Sequence, residues 1–166
     1  MQPDEILQAA SAAGLTIACA ESITGGDVVS ALIAVSGASA VVLGGVVAYT
    51  AEVKVSVLGV DRGVIDRYGV VSEEVALAMA RRARELFGAS IGLATTGVAG
   101  PDPHGGKAPG TVCVASVGPY GETATTSHFT GDRETVRGAA VAQALATIGD
   151  ATRSDLSHGV TGLEHN

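Results

Sequence analysis

Three short apolar runs, each followed by polar residues and then by a helical pattern, constrain the fold of this chain most strongly. The runs cover residues 15–20, 41–48 and 90–95. They are too short for helices, and their apolar, partly β-branched content is typical of buried strands. Strands that alternate with helices predict an α/β fold in three layers, with a largely parallel sheet covered by helices on both faces.

The remaining patterns complete this fold. Residues 111–117 and 123–129 are separated by a Gly-Pro-Tyr-Gly turn and predict an antiparallel strand pair near the C-terminus. The predicted helices cover residues 3–13, 27–35, 51–58, 73–87 and 133–148. We therefore expect a single domain over residues 1–148. Residues 149–166 are polar and lack periodicity, so we expect them to form a mobile tail.

Charge and cysteine content narrow the class of protein. The formal net charge of −7 argues against attachment to nucleic acid or to an anionic membrane, because both need a basic face. Cys19 and Cys113 lie in apolar segments without metal-ligand spacing, so we expect buried, reduced thiols. Residues 1–5 lack a secretory pattern, and the apolar stretch at 38–49 is too short to span a membrane. A soluble, cytoplasmic protein is the expectation.

Polar residues gather where the first predicted strand ends. Ser22 comes directly after it and precedes Gly25 and Gly26, which open the next helix. A hydroxyl in this setting lies beside free backbone N–H groups that could hold an oxyanion or a phosphate. Helix capping by Ser22 alone is the simpler alternative.

Tyr49 and Lys54 occupy the corresponding position after the second strand. Lys54 is one of only two lysines in the chain and follows an apolar run. Partial burial would lower its pKa, and a neutral amine could then take a proton from a serine. A solvated surface lysine remains the alternative. A short-chain dehydrogenase is excluded, because Tyr and Lys are five residues apart rather than four and the glycine-rich dinucleotide loop is missing.

Two arginines could bind an anionic substrate group. Arg133 and Arg137 are four residues apart in the last helix and so share a face, where they could pair with a phosphate. Surface ion pairs with Asp132 or Glu134 are the alternative. His104 has too few neighbouring ligands for a metal site, so no metal is expected.

Four ordered motifs resemble those of one known family. They are residues 20–26 (AESITGG), 44–54 (GGVVAYTAEVK), 96–101 (TGVAGP) and 110–112 (GTV). Together they closely resemble the CinA C-terminal domain family, also called the PncC family, of nicotinamide mononucleotide deamidases. The resemblance covers roughly residues 6–145.

This resemblance implies hydrolysis of the carboxamide of nicotinamide mononucleotide to nicotinic acid mononucleotide and ammonia, in pyridine nucleotide recycling. It implies no metal and no cofactor, and a small-molecule nucleotide as the binding partner. Ser22 would be the nucleophile and Lys54 the general base, with Tyr49 orienting one of them or assisting proton transfer. The alternatives are a catalytically silent nucleotide-binding or partner-binding module of the same fold, and an amidase for uncharged amides.

The resemblance also implies substrate contacts. Arg137, together with amides at a helix N-terminus, would bind the substrate phosphate. Backbone N–H groups of one of two loops would hold the oxyanion. The candidates are Thr24, Gly25 and Gly26 in the first loop, or Thr96 and Gly97 in the second. Small sheet domains with apolar helix faces often pair, so a homo-oligomer is expected.

Overall fold

The computed structural model describes residues 1–153, which form five strands, six α-helices and one short 3₁₀ turn at Ala38–Ala40. The strands are β1 (Ile17–Glu21), β2 (Val42–Val47), β3 (Ile91–Gly97), β4 (Thr111–Gly118) and β5 (Gly121–His128). The helices are α1 (Pro3–Ala12), α2 (Asp27–Ile33), α3 (Ala51–Ser56), α4 (Arg62–Tyr68), α5 (Glu73–Phe87) and α6 (Arg133–Ala151).

The five strands form one sheet in the order β2-β1-β3-β4-β5. β1 is parallel to both of its neighbours, β2 and β3. β4 is antiparallel to β3 and to β5, so β5 runs in the same direction as the first three strands. The prediction of a largely parallel sheet with an antiparallel pair near the C-terminus is therefore confirmed.

Helices cover both faces of the sheet and divide the core into two apolar clusters. One cluster joins the sheet to α1, α2 and α6 through residues such as Ile6, Leu32 and Ala140. The other joins it to α5 and the segments around α3 and α4, and it includes the fully buried Met79. Small residues let these layers approach closely: a Cβ atom on Gly92 would lie only 2.0 Å from the backbone oxygen of Ala80.

The helices α4 and α6 differ most from the sequence prediction, while α2 and α3 each end two residues before their predicted ends. α4 was not predicted, because its seven residues include a glycine and bury little more than Ile65. Asp61 caps this helix by accepting a hydrogen bond from the Gly63 N–H. α6 continues to Ala151, three residues beyond its predicted end, because Gly149 is buried and the helical pattern persists. The predicted tail therefore begins within this helix, and its residues 154–166 lie outside the described part of the chain.

Both cysteines are free and buried, as predicted. Burial raises the pKa of the Cys19 and Cys113 thiols, which keeps them protonated. Within residues 1–153, no helix combines the length and the apolar composition that crossing a membrane requires.

Candidate active site

A cavity of about 460 Å³ opens where β1, β2 and β3 end. This edge of a parallel sheet is the usual place for ligands in α/β folds, because the strand-to-helix loops converge there. Ile23, Val70, Val71, Val98 and Ala99 provide an apolar wall. The polar and charged residues of the lining are Ser22, Tyr49, Thr50, Lys54, Thr96, Asp102, His104 and Arg133.

Ser22 and Lys54 meet at the floor of this cavity. Ser22 directly follows β1, and its N–H donates to the Thr95 carbonyl at 3.0 Å, which extends the pairing of β1 with β3. Lys54 lies on α3, which Thr50 caps. The Nζ atom of Lys54 donates to the Ser22 Oγ atom at 2.9 Å and to the Ala48 carbonyl at 2.7 Å.

Lys54 is a buried lysine. Only 2% of the residue is exposed, and no carboxylate of residues 1–153 forms an ion pair with it. Burial disfavours the ammonium form and lowers the pKa of Lys54 from 10.5 to about 8. A substantial fraction of Lys54 is therefore neutral at mildly alkaline pH, and a neutral amine can accept the proton of the Ser22 hydroxyl.

Glu21 holds the loop that carries Ser22. Its buried carboxylate accepts hydrogen bonds from the Thr24 hydroxyl at 2.6 Å and from the N–H groups of Gly26, Val28 and Val29 at 2.9, 3.2 and 2.9 Å. Sequence reasoning missed this residue. An acidic residue between a strand and a helix start was the available signal, since carboxylates satisfy the free N–H groups there.

This hydrogen-bond network occupies some of the groups that were predicted to bind the oxyanion. The Thr24 hydroxyl also lies 2.7 Å from the Thr95 hydroxyl, and the Gly26 N–H is already bonded to Glu21, so neither group is free. The N–H groups of Ile23, Thr24 and Gly25 have no acceptor within residues 1–153. Of these three residues, only Ile23 lines the cavity.

The other two predicted oxyanion contacts lie at the end of β3. Thr96 and Gly97 both line the cavity. The Thr96 hydroxyl donates to the Val70 carbonyl at 2.8 Å and so ties β3 to the segment before α5. Thr96 therefore shapes the cavity wall through its side chain.

Tyr49 lies at the cavity rather than in the Ser22–Lys54 pair. It is 59% exposed, and its hydroxyl accepts a hydrogen bond from the Arg133 Nη2 atom at 2.9 Å. Within the described residues, it forms no hydrogen bond with Ser22 or Lys54. This position suits Tyr49 for contact with a substrate, and it does not suit Tyr49 for orienting Ser22 or Lys54.

The two arginines have different surroundings. Arg137 donates to the Ile23 carbonyl at 3.1 Å, to the Thr24 carbonyl at 2.9 Å and to Asp27 at 2.7 Å, and it is not among the cavity-lining residues. Arg133 does line the cavity, where its Nη1 atom donates to the Gly100 carbonyl at 3.0 Å. The structure thus brings Arg133 to the cavity and leaves Arg137 as a support of the Ser22 loop.

Comparison with known proteins places this chain in a family. The model of the CinA C-terminal domain matches residues 2–152. A CinA-like protein of Frankia casuarinae is 48% identical over 133 residues, and a putative competence-damage inducible protein of Desulforamulus reducens is 47% identical over 133 residues. These alignments cover 80% of this chain but only 31% and 32% of the relatives, so the chain spans about a third of their length.

Solved structures agree with this placement. A CinA superfamily protein of Klebsiella pneumoniae superposes with a TM-score of 0.86 at 33% identity, over 90% of this chain and 94% of that protein. A competence or damage-inducible protein of Enterobacter asburiae superposes with a TM-score of 0.87 at 32% identity, over 91% and 96% of the two chains. Sequence and fold agree along nearly the whole described chain, and this protein therefore belongs to the CinA C-terminal domain family.

Proposed function

We propose that this protein hydrolyses the carboxamide of nicotinamide mononucleotide to nicotinic acid mononucleotide and ammonia, with Ser22 as the nucleophile and Lys54 as the general base. The observation that carries the proposal is the 2.9 Å contact between Lys54 Nζ and Ser22 Oγ at the floor of the cavity. Burial gives this lysine a pKa of about 8, which suits a base near neutral pH.

The first half of the proposed reaction transfers the acyl group to the protein. Neutral Lys54 takes the proton of Ser22, and the serine oxygen attacks the carboxamide carbon. The N–H of Ile23, directly after the nucleophile, has no acceptor within residues 1–153 and would stabilise the oxyanion. The C–N bond then breaks, the Lys54 ammonium returns its proton to the departing nitrogen, and ammonia leaves a nicotinoyl ester on Ser22.

The second half releases the acid. Lys54, neutral again, takes a proton from water, and the resulting hydroxide attacks the ester carbon. The bond to the Ser22 oxygen breaks, and Lys54 returns the proton to that oxygen. Overall, the amide and one water yield a carboxylic acid and ammonia, and both side chains regain their starting states.

The lining and the volume of the cavity are consistent with a small nucleotide as the substrate. Its apolar wall, which includes Val71 and Val98, suits a flat ring, and its volume lies within the range of small-ligand sites. Arg133 supplies a guanidinium for a phosphate group, with the Tyr49 hydroxyl beside it. In this proposal Arg133 takes the phosphate-binding role first assigned to Arg137, because Arg137 is bonded to the Ser22 loop.

The proposed setting is cytoplasmic recycling of pyridine nucleotides, and the test is direct. Ammonia and nicotinic acid mononucleotide are measured after incubation of the full chain with nicotinamide mononucleotide, with chelator and without added metal. We expect equal amounts of both products, and release that is slower by roughly a thousandfold or more with Ser22→Ala. Absence of products with the unaltered protein would contradict the proposal and favour a binding module. Unchanged release by Ser22→Ala would place the chemistry on other residues.

A further inference from the structure

β5 leaves one edge of the sheet open. It pairs with β4 on one side, and no strand of residues 1–153 pairs with it on the other. All eight of its residues are at least partly exposed. An exposed edge presents a row of free backbone donors and acceptors that can pair with another strand.

β5 also lacks several of the features that usually prevent such pairing. Its sequence, GETATTSH, contains neither proline nor lysine, and its register with β4 is uninterrupted. The opposite edge strand, β2, also contains neither proline nor lysine, but it is shorter and its pairing is less regular. It has six residues, two of them the adjacent glycines Gly44 and Gly45, and its pairing with β1 has a register shift. β5 is therefore the edge suited to pairing with another chain.

The register with β4 determines which groups of β5 face the open edge. The Phe129 N–H, just beyond the strand, donates to the Gly110 carbonyl at 2.9 Å, in line with the β4–β5 register. Hydrogen-bonded and non-hydrogen-bonded pairs alternate along an antiparallel ladder. The odd-numbered residues of β5 therefore bond to β4. The N–H and C=O groups that face outward belong to Glu122, Ala124, Thr126 and His128.

We propose that a second copy of this chain pairs with β5 in antiparallel orientation, with Thr125 opposite the partner's Thr125 on the twofold axis. In this register Glu122 lies opposite the partner's His128, and Ala124 lies opposite the partner's Thr126. All four outward-facing residues then take part in hydrogen-bonded pairs. A shift of two residues in either direction leaves one of them without a partner, so this register pairs the most backbone groups.

The side chains fit this arrangement. Glu122 contacts Arg81 and Thr126 contacts Glu73, so the even-numbered side chains lie on the face covered by α5. Across the proposed interface, a carboxylate at Glu122 then meets an imidazole at the partner's His128, and no like charges lie directly opposite each other. On the other face α6 packs over β3 and β4. It reaches β5 through Gln143, which donates to the Thr125 hydroxyl at 2.9 Å, and Thr125 remains exposed. The pairing is independent of the proposed function.

Cysteine substitution tests the register as well as the assembly. In the full chain, Thr125→Cys places two thiols directly across the twofold axis in a non-hydrogen-bonded pair, where side chains approach most closely. Thr123→Cys is the matched control, because it lies opposite the partner's Ser127, and the two introduced thiols are then separated by about 13 Å along the strand. Cys19 and Cys113 are buried and do not compete.

We expect the unaltered chain to sediment as a dimer of twice 16.4 kDa. Mild oxidation should convert most Thr125→Cys to a disulfide-linked dimer on non-reducing gels, at least tenfold more than Thr123→Cys. Circular dichroism checks that both variants are folded. A monomer at all concentrations, or equal crosslinking of the two variants, would overturn the proposal. Loss of nicotinamide mononucleotide hydrolysis without loss of the dimer would contradict the proposed function alone.

Discussion

The Arg133 guanidinium donates a hydrogen bond to the Tyr49 hydroxyl at 2.9 Å and so joins the start of α6 to the loop after β2. The same guanidinium reaches the Gly100 carbonyl in the loop after β3. Arg133 thus connects three segments at the cavity. Arg133 and Tyr49 are 84 residues apart in the sequence. A cation held in this way is positioned before a ligand arrives, which lowers the entropic cost of binding an anion.

We expect Arg133→Gln to raise the KM for nicotinamide mononucleotide by roughly 10- to 100-fold, because a charge-assisted hydrogen bond contributes about 1.5–3 kcal/mol. Nicotinamide riboside, which lacks the phosphate, should be hydrolysed equally by the variant and the unaltered protein. Steady-state kinetics with both substrates measures the difference. A similar loss with both substrates would contradict phosphate binding by Arg133.

Arg137→Gln is the matched control for that experiment. Arg137 bonds two carbonyls of the Ser22 loop and Asp27, so its removal should loosen the loop whatever the substrate. We expect a loss of about 1–3 kcal/mol in the free energy of unfolding and a lower kcat with both substrates. A selective effect on the phosphorylated substrate would return the phosphate-binding role to Arg137.

Glu21→Gln should destabilise the protein by about 2–3 kcal/mol. The buried carboxylate accepts four hydrogen bonds, whereas the amide replaces one acceptor oxygen with a donor that faces other N–H groups. Urea unfolding measures the loss. Glu5→Gln is a suitable control, because that carboxylate is exposed and accepts one hydrogen bond at the start of α1. Equal effects of the two changes would contradict the role of Glu21.

The proposed general base predicts a specific pH dependence of the reaction. Only neutral Lys54 accepts the Ser22 proton, and its pKa is about 8. We expect kcat/KM to rise about tenfold per pH unit below that value and to level off above it. Initial rates with nicotinamide mononucleotide across neutral and alkaline pH give the profile. A profile that is flat through pH 8 would contradict Lys54 as the base.

The same burial predicts how stability depends on pH. The pKa of Lys54 is about 8 when folded and 10.5 in its ordinary state, so between these values the unfolded chain binds more protons and stability rises with pH. Below about pH 8 the cost of the buried ammonium is constant. Lys54→Met removes it, so the variant should be more stable by up to about 3 kcal/mol at pH 7.

This gain should shrink as the pH rises from 8 towards 10.5, because neutral Lys54 no longer carries the cost. Denaturant unfolding of both proteins at several pH values gives the difference between their free energies of unfolding. The titration of all other groups cancels in this difference. A difference that does not change with pH would mean that burial does not lower the pKa of Lys54.

Much of this fold could be predicted from sequence because local signals and tertiary packing agree. α5 begins and ends at its predicted residues, since Ser72 caps it and Gly88 terminates it in a left-handed conformation. α4 could not be predicted, because seven residues with one buried side chain give no clear periodicity.

The site could be predicted in part for similar reasons. Ser22 and Lys54 follow neighbouring strands, so topology alone brings them to one edge of the sheet. Helical spacing places Arg133 and Arg137 on one face of α6 but does not tell which of them reaches the cavity. That choice depends on the loops after β2 and β3, whose course the sequence pattern does not determine.

The hydrolysis of nicotinamide mononucleotide by Ser22→Ala, Lys54→Met and the double variant tests the central claim most directly. Residues that act as a unit give strongly non-additive losses. We predict that each single variant loses roughly a thousandfold or more in kcat and that the double variant loses no more than either of them. Substantial turnover by one single variant, or losses that multiply in the double variant, would contradict a catalytic Ser22–Lys54 pair.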